Sequence, residues 1–214
     1  MTTARAFAVS GLLFDCDGVL VDSLTAAGHA WNEWAATWKP DFEFHRDVEH
    51  GRRLDDYVVE LIGPEHAEQA IAELEELERR HAAEVRPIPG ARELLAGLPP
   101  GSWAVATSGT REIATARLTS AGLPMPEVLV AAEDVSKGKP EPDPYLTAAR
   151  RLGIPAQRCA VFEDAPAGVT AARRAGVRAV VGVGATSGGE ADAVIADLRG
   201  VGFDGAELRL PDRR

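Results

Sequence analysis

Five short apolar runs, each continuous rather than alternating, are widely spaced along the chain with segments of other character between them. They are Val9 to Phe14, Trp103 to Ala106, Val128 to Ala131, Cys159 to Phe162 and Ala179 to Val183. A strand with one wet face alternates apolar and polar residues, whereas a strand covered on both faces need not. Continuous runs therefore predict a parallel sheet sandwiched between helices. Helical patterns over 90–97, 110–121, 143–152 and 166–175 supply those outer layers. Thr110 is the expected N-cap of the second, Asp143 with Pro144 the cap and first-turn proline of the third, and Pro166 opens the fourth. The alternation predicts an α/β fold with a doubly wound, Rossmann-like parallel sheet.

Residues 22 to 87 break this rhythm and predict a helical insert, leaving 1–21 and 88–214 as the core. Within 65–84, Ala67, Ala70, Ile71, Leu74 and Leu77 fall on one helical stripe. Glu75 with Arg79, and Glu76 with Arg80, are placed to pair one turn apart outside it. Trp31, Trp34 and Trp38, at near-helical spacing, are expected to pack the insert rather than to stack on a ligand. His29 and His45 read as ordinary surface or packing residues. Pro87-Ile88-Pro89-Gly90 is a breaker cluster suited to a hinge where the chain re-enters the core. The polar tail after Gly200 carries no signal.

A chain of 214 residues accommodates one substantial core and a smaller second module. Its net charge of −10 argues against nucleic-acid binding, which needs a basic face. An anionic substrate would have to be held by local positive groups instead. No stretch approaches the roughly 20 apolar residues of a membrane helix. Residues 1–10 lack the apolar segment of a secretory signal, so the cytoplasm is the expected location. Cys16 and Cys159 read as reduced packing residues, not a disulfide framework.

The chemistry is expected where strands end. Asp15 and Asp17 follow the first run, Thr107 and Ser108 the second, and Glu163 and Asp164 the fourth. In an open parallel sheet these positions share the carboxyl edge, where ligands bind. Lys139 lies in the loop after the third run, and Lys137 reads as a surface residue. Paired carboxylates at a buried strand end are costly unless a cation compensates them. Mg²⁺, which prefers oxygen ligands, together with a phosphate monoester fits that demand. Asp15 could attack phosphorus while Asp17 handles the leaving-group proton. Asp164, with Glu163 and Asp15, could hold the metal, and Lys139 the nucleophile and phosphoryl oxygens. Thr107 or Ser108, with the amides of Gly109 and Thr110, would hydrogen-bond the phosphate.

Asp-Cys-Asp-Gly-Val at 15–19, Thr-Ser-Gly-Thr at 107–110, Gly-Lys-Pro-Glu-Pro-Asp at 138–143 and Phe-Glu-Asp-Ala-Pro-Ala-Gly at 162–168 resemble, in order, the four motifs of the haloacid dehalogenase superfamily. His50-Gly51-Arg52-Arg53 and the second and fourth motifs look most like its sugar-phosphatase branch, which acts on hexitol, 2-deoxyglucose and glycerol phosphates. The resemblance covers about residues 8–197 and implies that the insert is a helical cap. It implies an aspartyl-phosphate on Asp15, Asp17 as general acid and then base, and a Mg²⁺ site to which Asp17 lends its backbone carbonyl. The single Ser or Thr of its second motif aligns with either Thr107 or Ser108, and Ser108 is slightly favoured. The expected substrate is a small phosphorylated sugar or polyol, with His50, Arg52 and Arg53 as cap-borne binding residues and Arg111 a weaker candidate. A monomer is expected, and a closing cap should exclude phosphoproteins and nucleic-acid ends.

Three other readings are weighed. A phosphomutase of the β-phosphoglucomutase type shares the motifs but carries a cap-hinge His four residues after a Ser or Thr. Ser23 fits the first position, yet the second is Ala27. Dehalogenases generally lack the second acid, which Asp17 supplies. A non-catalytic phosphometabolite binder would not need every chemical position filled.

Overall fold

The computed structural model describes residues 5–184 and 190–211. In chain order the strands are β1 (Ala6–Ala8), β2 (Gly11–Phe14), β3 (Val21–Asp22), β4 (Arg86–Pro87), β5 (Trp103–Ala106), β6 (Leu129–Val130), β7 (Cys159–Glu163), β8 (Ala179–Val183), β9 (Ala193–Ile195), β10 (Gly202–Phe203) and β11 (Glu207–Arg209). The α-helices are α1 (Leu24–Trp38), α2 (Phe44–Asp47), α3 (Leu54–Ile62), α4 (Ala67–His81), α5 (Ala91–Gly97), α6 (Arg111–Ser120), α7 (Asp143–Leu152) and α8 (Pro166–Arg174).

Six strands form one parallel sheet in the order β6-β5-β2-β7-β8-β9. Each of the five apolar runs became one of them. Leu12 and Phe14 of β2 pack in one apolar cluster, with Leu94 and Leu95 of α5 and Leu118 of α6. Leu13, between them, packs in the other, with Tyr145 and Ala148 of α7 and Val169 of α8. Successive side chains point to opposite faces, so both faces are buried and alternation has no reason to appear.

Thr110 caps α6, its hydroxyl accepting from the Ile113 amide at 3.3 Å, and Pro166 opens α8. The start of α7 differs from expectation. Its N-cap is Pro142, with Asp143 already helical and making no side-chain cap. The tail after Gly200 also differs, because β10 and β11 join β1 in a small antiparallel sheet. Those strands are two or three residues long, too short to leave a periodic signal.

Helices α1 to α4 lie between β3 and β4, which pair antiparallel where this insert leaves and rejoins the core. The stripe on α4 is buried as expected, against Trp31, Trp34, Phe42, Phe44 and Val58. Trp34 is fully buried and donates its indole N–H to the Ala70 carbonyl at 2.9 Å, while Trp31 stacks on Phe42. The expected one-turn ion pairs do not form. Arg79 pairs with Glu76 and, across to the core, with Glu112, and Arg80 pairs with Glu33. Exposed arginines gain little from any one partner, so tertiary neighbours decide the choice. Both cysteines are buried and free. None of the described helices is long and apolar enough to cross a membrane.

Candidate active site

Strands β5, β2 and β7 are neighbours, so their carboxyl ends open side by side. Asp15 directly follows β2 and its amide still donates to the Phe162 carbonyl of β7 at 3.0 Å. Thr107 follows β5 with its amide on the Val130 carbonyl at 2.9 Å, and Glu163 is the last residue of β7. Sheet hydrogen bonding thus fixes the bases of these side chains. Two glycines let the loops approach closely. Gly18 has φ +75°, and a Cβ there would lie 2.1 Å from Asp164 Oδ2. A Cβ on Gly168, in the first turn of α8, would lie 1.6 Å from Glu163 Oε1.

Lys139 ties the carboxylates together. Its Nζ lies 2.7 Å from Asp15 Oδ1 and 2.6 Å from Glu163 Oε1, and all three residues are buried. Glu163 Oε1 also accepts the Tyr145 hydroxyl at 2.7 Å. Its Oε2 accepts the amides of Asp164 at 3.0 Å and Ala165 at 3.1 Å. Glu163 therefore holds Lys139 and the β7–α8 turn in place. Carboxylate oxygens of Asp15, Glu163 and Asp164 all lie within 4.8 Å of one another. One ammonium among three carboxyl groups leaves the cluster with an excess of acidic groups.

The titration of these groups reflects that excess. Burial, with Glu163 and Asp17 adding repulsion against the opposing pull of Lys139, pushes Asp15 up to about 7. Burial, then repulsion from Asp15 and Glu163, pushes Asp164 up to about 8. Burial works against the charge on Lys139, yet Asp15 and Glu163 hold its pKa above the usual lysine value. The donor set is all oxygen, hard and anionic, which suits Mg²⁺ better than a softer metal.

Asp17 has a different neighbour. Its Oδ1 accepts from Arg117 Nη1 of α6 at 2.8 Å, and Arg117 Nη2 lies 3.3 Å from Glu78 Oε2 of the insert helix α4. Sequence reading found neither Arg117 nor Glu78. The signals were present: Glu78 lies one turn after Leu74 on the apolar stripe, and Arg117 shares the buried face of α6 with Ile113, Ala114 and Leu118. Charges placed on apolar faces were the clue. Tyr145 was also missed, because a tyrosine on a buried helix face reads as packing.

The loop after β5 gathers as expected. Thr107 Oγ1 accepts from the Gly109 amide at 3.0 Å, and Ser108 Oγ donates to the Gly51 carbonyl of the insert at 2.7 Å. The insert-borne candidates also reach this region but are engaged there. Arg52 is held by Glu49 and Glu60, each at 2.8 Å. Arg53 donates to the carbonyls of Ala132, Val135 and Ser136 on the core. His50 packs against Phe44 and burial lowers its pKa. Arg111 faces elsewhere, pairing with Asp134 at 2.5 Å, and Lys137 has no part in the cluster.

A cavity of about 340 Å³ lies between insert and core. Asp15, Asp17, Thr107, Ser108 and Asp164 line it from the core, and Trp31, His50, Tyr57 and Glu78 from the insert. That volume is at the small end for ligand sites and suits a small metabolite.

Comparison with known proteins agrees with this geometry. A family model described as haloacid dehalogenase-like hydrolase matches residues 9–176. Hexitol phosphatase A of Escherichia coli is 42% identical over 178 residues, 79% of this chain and 81% of that protein. Glycerol-1-phosphate phosphohydrolase 2 of Saccharomyces cerevisiae is 34% identical over 198 residues, 86% of this chain and 78% of its own. The crystal structure of a hydrolase from Pseudomonas syringae superimposes with a TM-score of 0.77 at 30% identity, covering 88% of this chain and 94% of that one.

Proposed function

The chain belongs to the haloacid dehalogenase-like hydrolase family and is a phosphoric monoester hydrolase, and from that premise we propose that it is a Mg²⁺-dependent phosphatase of small sugar or polyol monophosphates. The observation that carries this reading is the trio of Asp15, Glu163 and Asp164, the first two buried and the third partly so, with Lys139 pairing to Asp15 and Glu163. An all-oxygen acidic set of this kind suits one divalent cation. Asp15, Asp164 and the Asp17 carbonyl would hold it, with Glu163, whose oxygens already accept four hydrogen bonds, acting from behind. When bound, Mg²⁺ supplies charge neutralisation for the phosphoryl oxygens against the surrounding carboxylates.

The chain's own groups do the rest. An Asp15 carboxylate oxygen attacks phosphorus, forming the aspartyl-phosphate as the bond to the ester oxygen breaks. Lys139 Nζ orients Asp15 through Oδ1. Asp17 gives its proton to the departing alkoxide, then as carboxylate takes one from the water that cleaves the Asp15–phosphorus bond. Thr107 is the hydroxyl we assign to the phosphate, since Ser108 Oγ is bonded to Gly51. The amides of the 108–110 turn at the start of α6 add to it. The insert, residues 22–87, acts as a cap over the core, and every group the mechanism uses comes from one chain, as a monomer requires. Ala27 lines the cavity with Ser23 and has no proton to transfer, which disfavours a mutase.

The rest of the cavity selects the tail of the substrate. Among the described lining residues Arg52 and Arg117 are each held by two carboxylates and Arg53 by backbone carbonyls, while Asp15, Asp22 and Asp164 add further acidic groups. A neutral polyhydroxyl tail is accepted there, and a second phosphate or carboxylate is repelled. Phosphate release with Mg²⁺ from hexitol, hexose and glycerol monophosphates should exceed that from the matching bisphosphates at least ~10-fold in kcat/KM, about 1.4 kcal/mol. Equal or better turnover of a bisphosphate overturns the neutral-tail assignment. Absence of phosphate release from all of them overturns the phosphatase.

The raised pKa values give a second test. Because the folded-state values of Asp15 and Asp164 lie above those of the unfolded chain, their favourable contribution is complete below about pH 4. It is lost as pH rises through about 7 and 8, when both carboxylates ionise. The metal-free melting temperature should fall over that window. Saturating Mg²⁺ should raise it by several degrees at pH 8.5 and little at pH 5.5. An Mg²⁺ shift of the same size at both pH values contradicts the assigned site.

A further inference from the structure

We infer that Arg117 is the positioning residue for Asp17, and that Glu78 of the insert makes this positioning depend on the insert lying over the core. The inference rests on the phosphatase reading and extends it to two residues outside the four motifs. Arg117 reaches from α6 to the loop after β2, where Nη1 lies 2.8 Å from Asp17 Oδ1. Its Nη2 lies 3.3 Å from Glu78 Oε2 on α4. The side chains of Arg117 and Glu78 are 6% and 9% exposed, whereas that of Asp17 is 31% exposed. Asp17 stands on a loop at the cavity, and the guanidinium is what fixes its carboxylate.

Burying an arginine on the apolar face of α6 is unfavourable in itself, and here Arg117 Nε has no hydrogen-bond partner. A leucine would fill the same face without an unsatisfied donor. Packing therefore does not explain the residue, but the demands on Asp17 do. A group that delivers and retrieves a proton must be held within hydrogen-bond reach of the reacting oxygen. Binding through Oδ1 alone leaves Oδ2 to exchange protons with the leaving oxygen and then with water. Glu78 secures that division, because it occupies Nη2 and prevents the planar fork from closing on both oxygens of Asp17. Glu78 belongs to the insert, and Arg117 and Asp17 to the core. With the insert displaced, the fork is free to take both oxygens, and Asp17 is withdrawn from service until substrate is enclosed.

The test separates positioning from support of the fold by changing the leaving group. With a polyol phosphate the alkoxide needs the Asp17 proton, whereas 4-nitrophenolate departs as a stable anion without it. In Arg117→Ala, first-turnover release of glycerol or hexitol from its phosphate should slow ~10²-fold or more, the scale of general acid help. First-turnover release of nitrophenolate should stay within about 10-fold of the wild type. It should appear as a burst before a slow steady state, since water attack still requires Asp17. Arg117→Lys, which keeps one donor, should recover part of the loss. Glu78→Gln should lower kcat on the polyol phosphate with KM nearly unchanged and show the same leaving-group split, and it serves if Arg117→Ala does not fold. Equal slowing of both first turnovers, or no slowing of either, overturns the inference. A wild-type protein that releases phosphate from no ester defeats the phosphatase reading itself, before any variant is compared.

Discussion

Asp15→Asn is expected to abolish turnover and, in the same protein, to raise the melting temperature of the metal-free form at pH 8. The loss of activity should be on the order of 10⁴-fold or more, the scale on which enzymes suffer when a covalent nucleophile is removed. Asparagine keeps the shape and can still accept from Lys139 Nζ, so the fold around β2 and β7 should persist. The stability gain follows from the same burial that makes the residue useful. Burial first, then Glu163 and Asp17, raise Asp15 to about 7, so its ionised form is unfavourable in the folded metal-free state. A neutral amide removes that penalty, which at one pKa unit per 1.36 kcal/mol amounts to a few kcal/mol above pH 7. The gain should shrink towards pH 4, where the wild-type carboxyl is protonated in both folded and unfolded chains. Phosphate release and thermal melts in EDTA across pH check both halves. Retained turnover would remove Asp15 from the nucleophile's role. A lowered melting point at pH 8 would contradict the excess of negative charge.

This opposition of stability and activity explains why the site was readable in the sequence where it was. Asp15, Asp17, Glu163 and Asp164 are acids directly after apolar runs, where local propensity and burial both disfavour them, so they stood out. The sheet was legible for a related reason: continuous runs such as Leu12-Leu13-Phe14 have only one economical use, with both faces buried. Lys139 was found through its Pro-rich loop, not through its charge. Arg117, Glu78 and Tyr145 were not found, because each is an isolated residue inside a helix whose periodicity already had an explanation. Their partners lie 100, 39 and 18 positions away, for Asp17–Arg117, Glu78–Arg117 and Tyr145–Glu163 respectively. Pairing at that range depends on the order of strands and on how the insert seats, which no local window contains. The engagement of Arg52 with Glu49 and Glu60 was hidden likewise, since a basic loop looks available until its acidic neighbours are placed. The three-stranded sheet of β1, β10 and β11 escaped because its strands are set by edge pairing, with little pattern of their own.

Lys139→Met carries the largest expected loss of stability. Methionine fills nearly the same space on the face of Tyr145, so the change isolates charge from volume. Without the ammonium, Asp15 and Glu163 lose the cation they share, and Glu163 Oε1 keeps only the Tyr145 hydroxyl. Removing one partner of a buried ion pair while leaving the others typically costs about 3–5 kcal/mol. The loss should be greatest above pH 8, where Asp15 and Asp164 are ionised in the wild type, and smaller near pH 5, where protonation neutralises them. Mg²⁺ should restore part of the lost stability but not the activity, because the cation offsets the charge without holding Asp15 in line. Chemical denaturation at the two pH values, with and without Mg²⁺, measures each effect. A second substitution decides whether charge is the cause. Lys139→Met with Glu163→Gln should be more stable than Lys139→Met alone, with a coupling of about 0.5–3 kcal/mol between the two sites. Additive losses would mean that Lys139 acts on the fold through packing, and that the carboxylates at the strand ends do not depend on its charge.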